Sequence, residues 1–252
     1  MRNKIINFAH EIGIEECGFC KIKDKTYLVC LFPYYVKGEK GNISIYARGR
    51  DYHLVIREKL QKINELLCQK GKILADIGEQ NDREAAYLAG LGFYGRNGLL
   101  INPRLGTYFF IGQLEILAEI SPDSPLEGGC MNCGACEKFC PGGAIGEQFD
   151  ITRCASEISQ KKGELSFDEI NILEKSGLIW GCDICQAVCP HNRELKTTAM
   201  AEFMDNRITY FKDFELSNRE FSKKYKEYAF SWRGLSPIKR NADLLGVKNE
   251  EK

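Results

Sequence analysis

The chain has 252 residues, 44% of them hydrophobic and 11% aromatic, enough for one or two domains with a sizeable core and too many to be disordered. Its 35 basic and 35 acidic residues cancel, so no whole-chain field selects a nucleic acid or a membrane surface. Apolar runs fall short of the roughly 20 residues that a membrane helix needs.

Residues 1–125 read as a mixed sheet with helices packed on it. Ile5, Phe8, Ala9 and Ile12 recur at helical spacing, and Gly13 follows as a stop signal. The apolar runs Cys17 to Ile22 and Tyr27 to Phe32 suit buried strands. A longer helix carries Tyr52, Ile56, Leu60, Ile63 and Leu67 along one stripe and ends near Gly71. Ile73 to Ile77 is a short strand, and Asn81 with Glu84 offers a capping box for the next helix. Thr107 to Ile120 partly alternates, with Leu114, Ile116 and Ala118 set against Gln113, Glu115 and Glu119, as in a long strand.

Residues 126–195 form a cysteine zone with few apolar residues, whose order must come from metal as much as from a core. Within it, Ser166 and Glu169 cap a helix that runs towards Gly177. Residues 196–252 read as a short, polar, helical tail, in which Ser217 and Glu220 form another capping box. Between Arg219 and Arg240 the basic residues outnumber the acidic ones by five. The overall class is therefore α+β, with a double-cluster, ferredoxin-like segment between the sheet and the tail.

Eight of the twelve cysteines lie between Cys130 and Cys189. The amino terminus, where His10 and Glu11 soon follow Ile5 and Ile6, lacks the apolar stretch of a secretion signal. A cytoplasmic chain keeps its thiols reduced, so these predict metal or redox work. Cys130, Cys133, Cys136 and Cys140 precede Pro141 in the spacing C-x2-C-x2-C-x3-C-P, three thiolates of which can hold three corners of an iron–sulfur cube. The second half repeats this as Cys182, Cys185 and Cys189 before Pro190, with Ile179 where a cysteine would complete the run and Cys154 available to replace it.

In two-cluster ferredoxins the fourth cysteine of each run serves the other cluster. Crossing them assigns Cys130, Cys133, Cys136 and Cys189 to one 4Fe-4S cluster, and Cys140, Cys154, Cys182 and Cys185 to the second, with none left over. Paired structural zinc sites are the alternative, but zinc makes no use of the third cysteine of each run or of the trailing proline. Cys17 and Cys20 also make a C-x2-C; they lie in a strand-like run, where burial suits free cysteine better than redox chemistry.

Two segments ahead of this zone are unusually polar for their setting: Tyr46 to His53, and Asp76 through the glycine-rich stretch Ala89 to Asn102. Asp76 ends an apolar strand, where a carboxylate suits a proton donor and equally a solvated turn or cap. The glycines suit turns, or close approach of backbone to a large flat ligand.

The order of these motifs resembles the epoxyqueuosine reductase family. It runs Tyr-Ala-Arg-Gly-x-Asp-Tyr-His from Tyr46, then Asp76, then Ala-Gly-Leu-Gly-x-x-Gly-x-x-x-Leu-Leu-Ile-Asn-Pro from Ala89, then Gly-Cys-Asp-x-Cys-Gln-x-x-Cys-Pro from Gly181. The likeness is close from about residue 43 to 195 and loose to Asn241. It implies a cobalamin-dependent iron–sulfur enzyme, related to reductive dehalogenases, that reduces the epoxide of epoxyqueuosine in tRNA to the alkene of queuosine.

By the same resemblance a corrinoid lies between the amino-terminal domain and the cluster domain, and Asp76 matches the family's proton-donating aspartate. Tyr46, Arg48, Asp51, His53, Arg96, Asn97, Leu100 and Asp183 match segments that line the corrinoid pocket. The implied partners are a tRNA anticodon stem–loop and an external low-potential electron donor, with the chain acting as a monomer. Departures from the family are Ile77-Gly78-Glu79-Gln80 in place of a Thr-Gly-Pro-like run, Asp82 where a glutamate is usual, and His191 where tryptophan is preferred. The amino-terminal region is shorter than usual, and the chain stops near the start of the family's carboxy-terminal helical-repeat domain. The competing readings are a corrinoid reductase of a small molecule and a non-catalytic two-cluster electron carrier.

Overall fold

The computed structural model describes residues 1–76 and 81–247. Helix α1 (Arg2–Glu11) leads into a hairpin of β1 (Glu16–Ile22) and β2 (Lys25–Pro33). Its two-residue turn, Lys23 and Asp24, has positive φ at both positions, the handedness that matches strand twist. Next come α2 (Tyr52–Leu66), β3 (Ile73–Leu74), α3 (Asp82–Leu88), a small ladder of β4 (Phe93–Tyr94) with β5 (Leu100–Ile101), and β6 (Phe109–Ile116).

The main sheet has the order β1-β2-β6-β3, and its three ladders are antiparallel, where a mixed sheet was expected. Both faces are covered. Leu28, Cys30, Phe32 and Leu114 pack under α1 and α2, with Ile5, Ala9, Ile56, Leu60 and Ile63. Val29, Leu31 and Leu74 pack under α3, with Ala85, Ala86 and Ala89. Burial on both faces makes β2 a continuous apolar run in the sequence. Helix α2 crosses β6 so closely that a Cβ on Gly112 would lie 2.5 Å from Ile56 Cγ2.

Strand β6 is shorter than the stretch expected for it, and one reading of its faces needs correction. Gln113, assigned by alternation to a polar face, is fully buried because α3 covers that side of the sheet. The strand expected to reach Ile77 ends at Leu74; Ile77 itself, with the departures at 77–80, lies outside the described residues. Asn81 caps α3 by accepting from the N–H groups of Arg83 and Glu84.

In the cysteine zone the helices are short: α4 (Ala135–Lys138), α5 (Ala155–Gln160), α6 (Phe167–Ser176) and α7 (Ile184–Ala187). The capping box of Ser166 and Glu169 starts α6, and left-handed Gly177 ends it. The tail adds α8 (Ala201–Met204), α9 (Asn218–Tyr225) and α10 (Leu235–Leu244). It is not simply polar: Phe211, Phe214, Phe221, Tyr225 and Phe230 build an aromatic core with Trp180 of the cysteine zone and Ile43 of the first region. Residues 248–252, read with the tail, lie outside the described residues.

Candidate functional site

The carboxy-terminal edge of β3, the start of α2 and the near end of β6 border an open cleft of about 180 Å³. Leu99, Leu100, Phe109, Phe110 and Ile111 give it apolar walls, and Tyr46, Tyr52, Asp76, Asp82 and Thr107 supply its polar groups. An apolar hollow with a few placed polar groups is the usual form of a cofactor site.

Asp51 caps α2, accepting from the His53 N–H at 2.9 Å, and its carboxylate also meets His53 Nδ1 at 2.8 Å. This holds the imidazole against the Tyr52 ring, 4.0 Å between centroids, while Phe110 stacks on Tyr52 at 4.1 Å. So fixed, the Tyr52 hydroxyl donates to Asp76 Oδ2 at 2.7 Å. Burial, and then the Asp76 carboxylate, push the Tyr52 phenol well above its ordinary range, which keeps it a donor. Asp82 stands behind: burial raises its carboxyl above the ordinary range, against bonds received from the Asp76 N–H and from Gln113.

The residues expected to line a corrinoid pocket divide into groups. Tyr46 and Leu100 share the cleft with Asp76. Asp51 and His53 act on it through Tyr52. Arg48 is buried instead, donating to the Ile43 carbonyl at 2.7 Å and pairing with Glu39, which also binds Arg207. Asp183 is turned onto the Ser44 hydroxyl and the Ile45 N–H, tying the cysteine zone to the chain just before α2. Arg96, paired with Glu137 at 2.7 Å, and the buried Asn97 line a second, smaller gap.

That gap is walled by Cys130, Cys133, Cys136 and Cys189, together with His191. Burial raises the Cys136 and Cys189 thiols, and the charges of Cys130 and Cys133 push both in the same direction. Burial pushes Cys182 up to about 12 and Cys185 higher; Cys140 and Cys154 are near both, with Asp183 also beside Cys182 and Cys136 also beside Cys185. Cys130, Cys133, Cys136 and Cys189 thus share one gap, and Cys140 and Cys154 lie near Cys182 and Cys185. Among the described residues no three His, Cys, Asp or Glu side chains are arranged to hold a single ion; the first set instead surrounds a gap, as an iron–sulfur cube requires. Cys140 Sγ also accepts from the Ala144 N–H at 3.3 Å.

Sequence reading did not find Tyr52 as the partner of Asp76, because its place on the apolar stripe of α2 accounts for it already. Nor did it find Gln113, whose only signal is an amide in the middle of an apolar strand.

Residues 129–192 match the 4Fe-4S double cluster binding domain, and residues 24–77 match the family described as epoxyqueuosine reductase QueG, DUF1730. The fold and the thiols define a two-cluster iron–sulfur protein. The epoxyqueuosine reductase of Listeria monocytogenes is 32% identical, over 100% of this chain and 82% of its own. That of Bacillus anthracis is 36% identical over 87% of this chain, which spans 64% of that relative's length. Among solved structures, an epoxyqueuosine reductase with an epoxyqueuosine-modified tRNA-Tyr stem loop superposes with a TM-score of 0.84, at 26% identity, over 97% of this chain and 80% of that one. A reductive dehalogenase whose structure suggests a mechanism for B12-dependent dehalogenation shares the fold, at a TM-score of 0.54 and 16% identity over 96% of this chain and 35% of that one. The chain belongs to the epoxyqueuosine reductase family.

Proposed function

We propose that the chain is a cobalamin- and iron–sulfur-dependent reductase that converts epoxyqueuosine in tRNA to queuosine. The observation that carries this reading is the Tyr52–Asp76 hydrogen bond at the wall of an apolar cleft, in a chain where Cys130, Cys133, Cys136 and Cys189 surround a gap. Removing the epoxide oxygen as water, leaving an alkene, consumes two electrons and two protons. Tyr46 and Leu100 would border a corrinoid held at the cleft, which would supply the two-electron cobalt chemistry that single-electron clusters cannot.

The chain's own residues handle the protons and the surroundings. Asp76 gives its proton to the departing oxygen, and the Tyr52 hydroxyl then holds the resulting carboxylate through the bond already present. Phe109, Phe110 and Leu100 keep the cleft apolar, which strengthens both interactions. Tyr46, with Leu100, is the residue of the expected set best placed to touch a corrinoid; its hydroxyl accepts from Trp180 Nε1 at 2.9 Å. Cys130, Cys133, Cys136 and Cys189 hold one cluster, and Cys140, Cys154, Cys182 and Cys185 the other.

Work on tRNA with thiols kept reduced suits a monomer in the cytoplasm, fed by an external low-potential donor; among the described residues no helix is long and apolar enough to cross a membrane. For tRNA contact the tail offers less free charge than its sequence suggests. Lys224 pairs with Asp213, and Arg240 turns inward onto the carbonyls of Lys161 and Gly163. Lys223 and Lys226 remain exposed, and Trp232, 61% exposed with Arg233 stacked over it, offers a platform for a base.

The deciding experiment is anaerobic incubation of the reconstituted protein with cobalamin, a strong reductant and epoxyqueuosine-containing tRNA, followed by nucleoside analysis. Queuosine is expected. Protein that holds both clusters and cobalamin yet leaves the epoxide intact would point to another substrate. Asp76→Asn is expected to slow conversion by about 10²–10⁴-fold, the usual worth of a general acid, with cofactor spectra unchanged.

A further inference from the structure

Asp76 has a φ of +56°, in the left-handed region that costs a residue with a Cβ about 1–2 kcal/mol. Its backbone N–H donates to Asp82 Oδ2 at 2.7 Å, and Asp82 Oδ1 accepts from Gln113 Nε2. Gln113 is fully buried on β6, opposite Val29 of β2 on one side and Leu74 of β3 on the other, in the apolar layer beneath α3. Its Oε1 has no partner among the described residues. Leaving a buried amide oxygen unpaired is unfavourable, and an apolar side chain at that position would avoid it. A strained aspartate and a half-satisfied glutamine are each unfavourable alone. Asp82 joins them.

We propose that Asp82, anchored by Gln113, is a positioning residue: it fixes the left-handed turn at Asp76, and so the direction from which the Asp76 carboxyl meets Tyr52 and the cleft. This rests on the reading of Asp76 as the proton donor. Without the Asp82 bond the Asp76 backbone relaxes into a commoner basin, and its Cα–Cβ direction swings away from the Tyr52 hydroxyl. The central strand of the sheet supplies the fixed point, since Gln113 sits between two ladder partners.

The test uses protein with both clusters and cobalamin bound, reducing an epoxyqueuosine-containing tRNA stem–loop. Asp82→Ala is expected to lower kcat about 10²-fold, the cost of misplacing a reacting group by about 1 Å, with KM unchanged. Exchange of the Asp76 backbone amide with deuterated solvent should quicken in the same variant. Asp82→Asn should restore most of both, because its side-chain oxygen still accepts from the Asp76 N–H and its amide can donate to Gln113 Oε1 once the Gln113 amide turns over. Wild-type kcat in Asp82→Ala overturns the proposal. So does Asp82→Asn as slow as Asp82→Ala, which would make the carboxyl proton of Asp82, not its bond to the turn, the working element. Should Asp82→Ala fail to fold, Gln113→Met releases the anchor instead; it supports the proposal by faster Asp76 amide exchange with a lower kcat, and overturns it if neither moves. Asp76→Asn separates the two claims: full turnover there defeats the proton-donor reading, while the exchange measurements still report whether Asp82 holds the turn.

Discussion

The sheet region and the cysteine zone are stabilised in opposite ways. Strand β2 is buried on both faces, between α1 and α2 on one side and α3 on the other, so the first region carries its own core. The zone's own buried cluster is Ala155, Ile158 and Ile172, with Leu165 and Cys182 against it. Burial keeps its thiols protonated when no metal is bound, so they add little cohesion of their own; binding iron exchanges those protons for metal–sulfur bonds. The first region rests on its own apolar core, whereas the zone combines a small cluster and the core it shares through Trp180 with its thiol ligands, which is why their sequences look so different.

Removing iron is the most severe way to break that contrast. Anaerobic chelation is expected to strip amide-exchange protection from residues 129–192 while Leu28 to Phe32 and Phe110 to Leu114 keep theirs; equal loss in both would show that the regions fold as one. Cys154→Ala sharpens the point within the zone. In the crossed scheme it serves one cluster, so iron analysis should find half the metal, and two intact clusters would refute that ligand set. On the other side of the comparison, Leu60→Ala opens a cavity where α2 meets Gly112. It should destabilise the sheet region by about 2–5 kcal/mol in a denaturant titration, with iron content unchanged.

The smallest effect concerns pH. The Asp82 carboxyl is raised in the folded chain, chiefly by burial, above an unfolded value of about 3.9. Below that value both states keep the proton and the shift has no effect. As pH climbs towards the folded value the unfolded chain releases its proton first, so the natural chain loses stability. Asp82→Asn lacks this loss, so its stability relative to the natural chain should improve between pH 3 and 7, as read from unfolding midpoints. A difference that shrinks over that range would contradict the assigned shift.

The two regions also differ in how much of them could be read from sequence. The apolar stripe of α2, the run of β2 and the capping boxes at Ser166 and Ser217 are local patterns, and each element formed where its pattern lay. The spacing of the cysteines likewise predicts Cys189 beside Cys130, Cys133 and Cys136, where the structure has it. What stayed hidden depends on contacts across long separations. Alternation in β6 identifies Gln113 as a polar position without revealing that α3 covers it. The aromatic core of the tail is scattered among lysines, and only its meeting with Trp180 and Ile43 gathers it. Arg48, read as a pocket residue from its motif, is claimed by Glu39, whose other partner, Arg207, lies far along the chain.

The tail's aromatic core has a consequence for the cysteine zone. Trp180 lies two residues before Cys182, bridges to Ile43 and shares a buried core with Phe211 and Phe230, while Gly181 approaches Ser44 so closely that a Cβ there would lie 2.4 Å from the Ser44 Cβ. This packing ties the stretch of chain before Cys182 to the tail, so a loosened tail would shift Cys182 while Tyr52, Asp76 and the cleft stayed in place.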